Sequence, residues 1–101
     1  MRLALFAMFL SCSPVAEPGR EACYSLTSWL GARAKVCTGD GVVAKMVEDR
    51  YMDGIGCEQV RLIDRDRLYG VCRSRIENME CSALLAGRAP KECWEVFAVS
   101  P

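Results

Sequence analysis

CYSLTSWLGARAKVC, residues 23–37, decides how the rest of the chain is read. Cys23, Leu26, Leu30, Ala34 and Cys37 recur at i, i+3, i+7, i+11 and i+14. At about 100° per residue they share one stripe less than about 90° wide, which is the pattern of an amphipathic helix. A helix is therefore expected over Glu21 to Val36, with a cysteine at each end of its apolar face. A rise of about 1.5 Å per residue sets those two thiols about 21 Å apart. A disulfide needs Cα atoms within about 7 Å. The two cannot bond to each other, so each must reach a different partner element.

Outward from this helix, Thr38-Gly39-Asp40-Gly41 supplies a stop and then a cap, with Asp40 as N-cap of the next helix. That helix is expected over Val42 to Met52, with Val43, Met46, Val47 and Tyr51 on its apolar face. Asp53-Gly54-Ile55-Gly56 reads as a turn. Cys57 to Ile63 reads as a short helix or an extended connector. Asp64 caps a third helix, Arg65 to Met79, with the stripe Leu68, Val71, Cys72, Ile76 and Met79. Cys81 to Ala86 can form one more short helix, ended by Gly87 and the Ala89-Pro90 break. The apolar tail Trp94 to Val99 would lie across the bundle or as an extended strand. No pair of alternating segments flanks an Asn-Gly or Asp-Gly turn, so no hairpin is required. The expectation is an all-α fold, a small disulfide-stapled bundle of three main helices plus one or two short ones, with antiparallel neighbours.

The stapling follows from cysteine arithmetic. The chain of 101 residues has seven cysteines. Cys12 lies directly after the apolar run Leu3 to Leu10, which follows Arg2 and precedes the small-residue segment Ser11 to Ala16. Eight apolar residues are too short for a bilayer span, which needs about 20. They suit a secretion signal. Residues 1–16 are accordingly expected to be a signal peptide, or a lipoprotein signal with tether in which Cys12 is the lipid attachment point. Residues 17–101 then form a single cysteine-rich helical domain. Cys23, Cys37, Cys57, Cys72, Cys81 and Cys93 remain, an even set in a small exported domain, and read as three disulfides. Six cysteines allow 15 pairings, and spacing does not choose among them. The domain is near the size at which one core supplies only about 3–5 kcal/mol, so cross-links meet a physical need. Zinc and thioredoxin-like chemistry both favour C-x-x-C pairs, and none is present.

Composition excludes several functions. Lys+Arg and Asp+Glu both number 13, and Arg2 is the only charged residue before Glu17, so the domain alone carries a net charge of −1. That balance offers no electrostatic basis for nucleic acid or for an anionic membrane surface. Membrane association would come only through the N-terminal lipid. Histidine is absent, which removes the commonest general base and metal ligand. The carboxylate pairs Glu48/Asp49, Asp64/Asp66 and Glu77/Glu80 fall on polar faces or caps. Asp64-Arg65-Asp66 lacks the glycine and later glutamate of a calcium loop. No catalytic residue, metal site or cofactor is expected.

Two sets of residues stand out. Arg33, Arg50 and Arg75 each interrupt an apolar helix pattern; they read as boundary residues with stems on the core rather than as a converging anion site. Trp29, Trp94 and Phe97 complete the core or form an interaction patch.

The stretch CEQVRLIDRDRLYGVCRSRIENMECSALLAGRAPKEC, residues 57–93, resembles small cysteine-rich, often lipid-anchored proteins of myxobacteria-like soil bacteria. Their scattered cysteines sit on helices, and a Pro-x-x-Cys element comes near the end, as in Pro90-Lys91-Glu92-Cys93. The resemblance implies export and architecture and no activity. The reading is a non-enzymatic exported domain that engages an unknown protein partner at the cell envelope or outside the cell. The alternatives are a binder of a small hydrophobic ligand, which requires an apolar cavity of a few hundred Å³, and a secreted effector or inhibitor.

Overall fold

Gly19 meets a constraint that only glycine satisfies. In the computed structural model, which describes residues 17–99, a Cβ on Gly19 would lie 3.0 Å from both Leu62 N and Val60 O. Without one, Gly19 N donates to Val60 O at 3.0 Å, and helix α1 (Arg20–Thr38) starts against a strand. The expected signal and the Cys12 attachment point lie outside the described residues.

Helix α1 buries Ala22, Cys23, Leu26, Leu30 and Ala34, the stripe its spacing specifies. Buried Thr27 is satisfied by donating to Tyr24 O. Gly39 closes the helix in the left-handed region at φ 71°, its N–H bonded to Lys35 O at 2.7 Å. Asp40 then caps α2 (Gly41–Ile55), its Oδ1 accepting from Val42 N at 2.8 Å and Val43 N at 3.4 Å. Asp40→Ala is expected to cost about 1 kcal/mol, read as a lower urea midpoint with unchanged slope. The two helices form an antiparallel pair that closes tightly at Gly31, where a Cβ would sit 3.2 Å from Ala44 O and from Glu48 Cβ.

α2 is longer than its sequence suggests. It runs through Asp53-Gly54 instead of turning there and stops at Gly56, φ 75°. Val47 and Tyr51 are buried, but Met46 is 59% exposed, a correction to the expected apolar face. Met46 lies off the face of α2 that meets α1, where Ala44 and Glu48 approach Gly31.

The third helical stretch is composite. Asp64 caps it through Arg67 N at 3.0 Å. α3 (Arg65–Arg67) passes into a π-helical turn (Leu68–Cys72) and then α4 (Arg73–Glu77). The wider π turn brings Cys72 nearly beneath Leu68 and swings Val71 off the stripe. Leu68, Cys72, Ile76 and Met79 are buried, while Val71, expected among them, is 47% exposed. Two short helices follow, α5 (Cys81–Leu85) and α6 (Lys91–Trp94).

A small sheet supplements the helices. β1 (Glu17–Pro18), β2 (Val60–Leu62) and β3 (Phe97–Val99) pair antiparallel with β2 central. The register sets Leu62 opposite both Glu17 and Phe97. Val60 and Leu62 point into the core and Arg61 away from it, the two-residue period of a strand. The ambiguous connector therefore contains a strand, and the apolar tail divides: Trp94 ends α6 and Phe97–Val99 is a strand.

Three disulfides join these parts. Cys23–Cys57 ties the start of α1 to the loop after α2, Cys37–Cys81 ties its end to α5, and Cys72–Cys93 ties the π turn to α6. Cys23 and Cys37 do reach different partners, as their separation on one helix requires. The three loops interlace, each overlapping the next along the chain, and span 34, 44 and 21 residues. Beside the first bridge, the Tyr24 hydroxyl donates to Glu58 and holds its carboxyl below the usual range, with Arg20 adding to the effect. The result is a small disulfide-stapled helical fold, and its cross-links belong to an oxidising environment.

Candidate functional site

Four helical residues begin the site. Arg50, Tyr51, Gly54 and Ile55 fall at i, i+1, i+4 and i+5 of α2 and so share one side of it. The sheet brings Val60 and Phe97 up to that side, and α6 adds Trp94. Together they enclose a cleft of about 380 Å³ with mainly apolar walls.

Its floor is rigid. Tyr51 is 5% exposed, its hydroxyl donates to Leu84 O at 2.9 Å, and its ring stacks on Trp94 with centroids 6.1 Å apart and planes 27° off parallel. Burial pushes the phenol up from its ordinary pKa, while the positive charges of Arg50 and Arg88 pull it down. Gly54 leaves the cleft open. Its φ is not positive, and a Cβ there would meet nothing within 4 Å. Neither backbone strain nor packing calls for glycine at this position. A side chain there would simply occupy the space.

The other wall feature is charge. Arg50 lines the cleft, and Arg88 follows Gly87, which lines it too. Among the described residues no carboxylate lines this cleft. Arg50 and Arg88 also take part in no ion pair there.

The expected interaction residues separate into two places. Trp94 and Phe97 belong to the cleft. Trp29 lies in a second groove of about 250 Å³ with Val36 and Ile76. There the aromatic face is already occupied: the Arg73 guanidinium sits 5.0 Å from the Trp29 centroid, and the Tyr69 ring meets it edge-on at 5.5 Å. The three pattern-breaking arginines do not converge. Arg33 donates to Met79 O at 3.0 Å, Arg75 lies 3.5 Å from Glu92, and Arg50 lines the cleft.

Three of the six carboxylates flagged in the sequence have local duties. Asp49 pairs with Lys45 at 3.2 Å, Asp64 caps α3, and Glu77 lies 3.7 Å from Arg73. Among the described residues, no group of three or more Cys, Asp or Glu is placed to hold a metal ion, and no helix is long and apolar enough to cross a membrane.

Sequence reasoning placed Tyr51 in the core and Arg50 at its boundary, and it missed that both face Trp94 and Phe97. The signal that could have found the cleft is Gly54, a glycine in a helical position beside Tyr51 with no turn to make. No protein-family model, no curated protein and no solved structure matches this chain.

Proposed function

We propose, from the fold and the cleft alone, that this chain is an exported, non-enzymatic binding module that holds a small apolar molecule between α2, α6 and the sheet. The observation that carries this reading is the apolar cleft of about 380 Å³ on a disulfide-fixed frame. That volume is within the range of small-molecule sites, about 300–1,000 Å³. A preformed cleft also costs little ordering free energy on binding. Export is part of the proposal. The run Leu3 to Leu10 would act as its signal, and Cys12 would carry a lipid if the protein is membrane-tethered.

The test uses N-phenyl-1-naphthylamine, a neutral apolar fluorophore. Saturable one-to-one binding is expected, weakened at least about tenfold by Gly54→Leu, whose side chain fills the cleft and removes favourable apolar contact. An unchanged circular dichroism spectrum would show that the variant still folds. Binding that is non-saturable, or indifferent to Gly54→Leu, would refute the reading.

One observation favours a second reading, docking of a protein partner. Trp29, Tyr69 and Arg73 form an aromatic and guanidinium cluster flanked by exposed Val36. Tryptophan, tyrosine and arginine are the residues that most often dominate protein interfaces.

A further inference from the structure

We propose that the cleft selects an apolar molecule bearing a single carboxylate, seated with its apolar body on Tyr51, Trp94 and Phe97 and its head at Arg50. This deepens the binding role given above and rests on it. The walls supply the body's contacts: Ile55, Val60, Trp94 and Phe97 surround the space that Gly54 leaves empty.

The head group follows from the charges at the mouth. Arg50 lines the cleft, and Arg88 follows the lining residue Gly87, its charge reaching the Tyr51 phenol; among the described residues neither is engaged by a carboxylate of the chain. Four other arginines are answered by carboxylates. Arg20 pairs with Glu58, Arg67 with Glu95, Arg73 with Glu77 and Arg75 with Glu92. The Tyr51 hydroxyl already directs its proton to Leu84 O, so it does not compete as a donor to the ligand. A guanidinium presents paired N–H groups that match a carboxylate in bidentate fashion. A cationic ligand would face two like charges without a counter-charge on the walls. A neutral apolar ligand would leave both guanidiniums unused.

Decanoate and decanol share a tail and differ in the head. Each is titrated below its micelle concentration, following Trp94 fluorescence in a Trp29→Phe background. Decanoate is expected to bind about tenfold more tightly than decanol at neutral pH, the scale of a charge-assisted hydrogen bond at a partly exposed rim. Arg50→Gln should remove that preference, weakening decanoate binding far more than decanol binding. Arg88→Gln should reduce it in part. Octanoate should bind more weakly than decanoate by about fourfold for each methylene lost.

Equal affinity for the two probes, or a preference that survives Arg50→Gln, overturns the carboxylate assignment and leaves the apolar site standing. If neither probe binds, and the neutral fluorophore does not bind either, the apolar site falls and the assignment falls with it.

Discussion

Full reduction of the three disulfides is expected to unfold this domain, with loss of its far-ultraviolet helical signal and of any cooperative thermal transition. The loops closed by the bridges span 34, 44 and 21 residues. Loop-closure entropy makes each worth about 3–4 kcal/mol in the unfolded ensemble. A domain of this size has a total stability of about 5–15 kcal/mol, so losing all three consumes most or all of it. Replacing Cys37 and Cys81 together by alanine should lower the melting temperature by about 15–30 °C. Replacing Cys72 and Cys93 removes less loop entropy but also leaves a void, because both side chains are fully buried in the main core. Under mild reductant the Cys37–Cys81 bridge should open first, since its two residues are half-buried while the other four cysteines are buried. Mass spectrometry after timed alkylation reads that order. A shift of less than about 5 °C on full reduction would show that packing alone sustains the fold.

Leu30→Ala carries the next largest effect. Leu30 is 0% exposed at the middle of α1 and belongs to the cluster that includes Leu26, Leu68, Ile76 and Leu84. Truncation removes transfer free energy and leaves a cavity that two bridged ends of the helix hinder from collapsing. The expected cost is about 3–4 kcal/mol, toward the middle of the range for buried leucine. Met46→Ala is the matched control, because the sequence puts both residues on apolar faces and the structure exposes one of them. The control should change stability by less than about 0.5 kcal/mol. Urea melts of the two variants with the disulfides intact measure the contrast. Similar losses at the two positions would mean that α2 is turned differently against α1.

Local rules explain what the sequence disclosed. Leu26, Leu30 and Ala34 repeat over more than three turns of one helix, and a repeat of that length has one physical meaning. Asp40 and Asp64 cap through hydrogen bonds two or three residues away, so their role needs no tertiary information. Gly39 and Gly87 end helices through left-handed backbone that other residues adopt at a cost. The cysteine partners were not local. Cys23 had to leave its helix, but which of the other thiols it met depends on the closure of loops over 34 residues long or longer.

The sheet was hidden for a related reason. Val60–Leu62 is three residues long, too short to display alternation convincingly. Its partners, Glu17–Pro18 and Phe97–Val99, come from opposite ends of the domain. The π turn escaped because nothing in Leu68-Tyr69-Gly70-Val71-Cys72 announces a wider winding, and that winding turns Val71 off the buried stripe. The cleft combined both difficulties. Trp94 and Phe97 were visible as a pair of aromatic residues, but Arg50 and Tyr51 reach them only after the chain has turned back through two more elements.

The interlaced order of the bridges has a consequence for life among proteases. Every peptide bond from Cys23 to Cys93 lies within at least one closed disulfide loop. A single cut anywhere in that span therefore sheds no fragment: the two pieces stay covalently joined through at least one bridge.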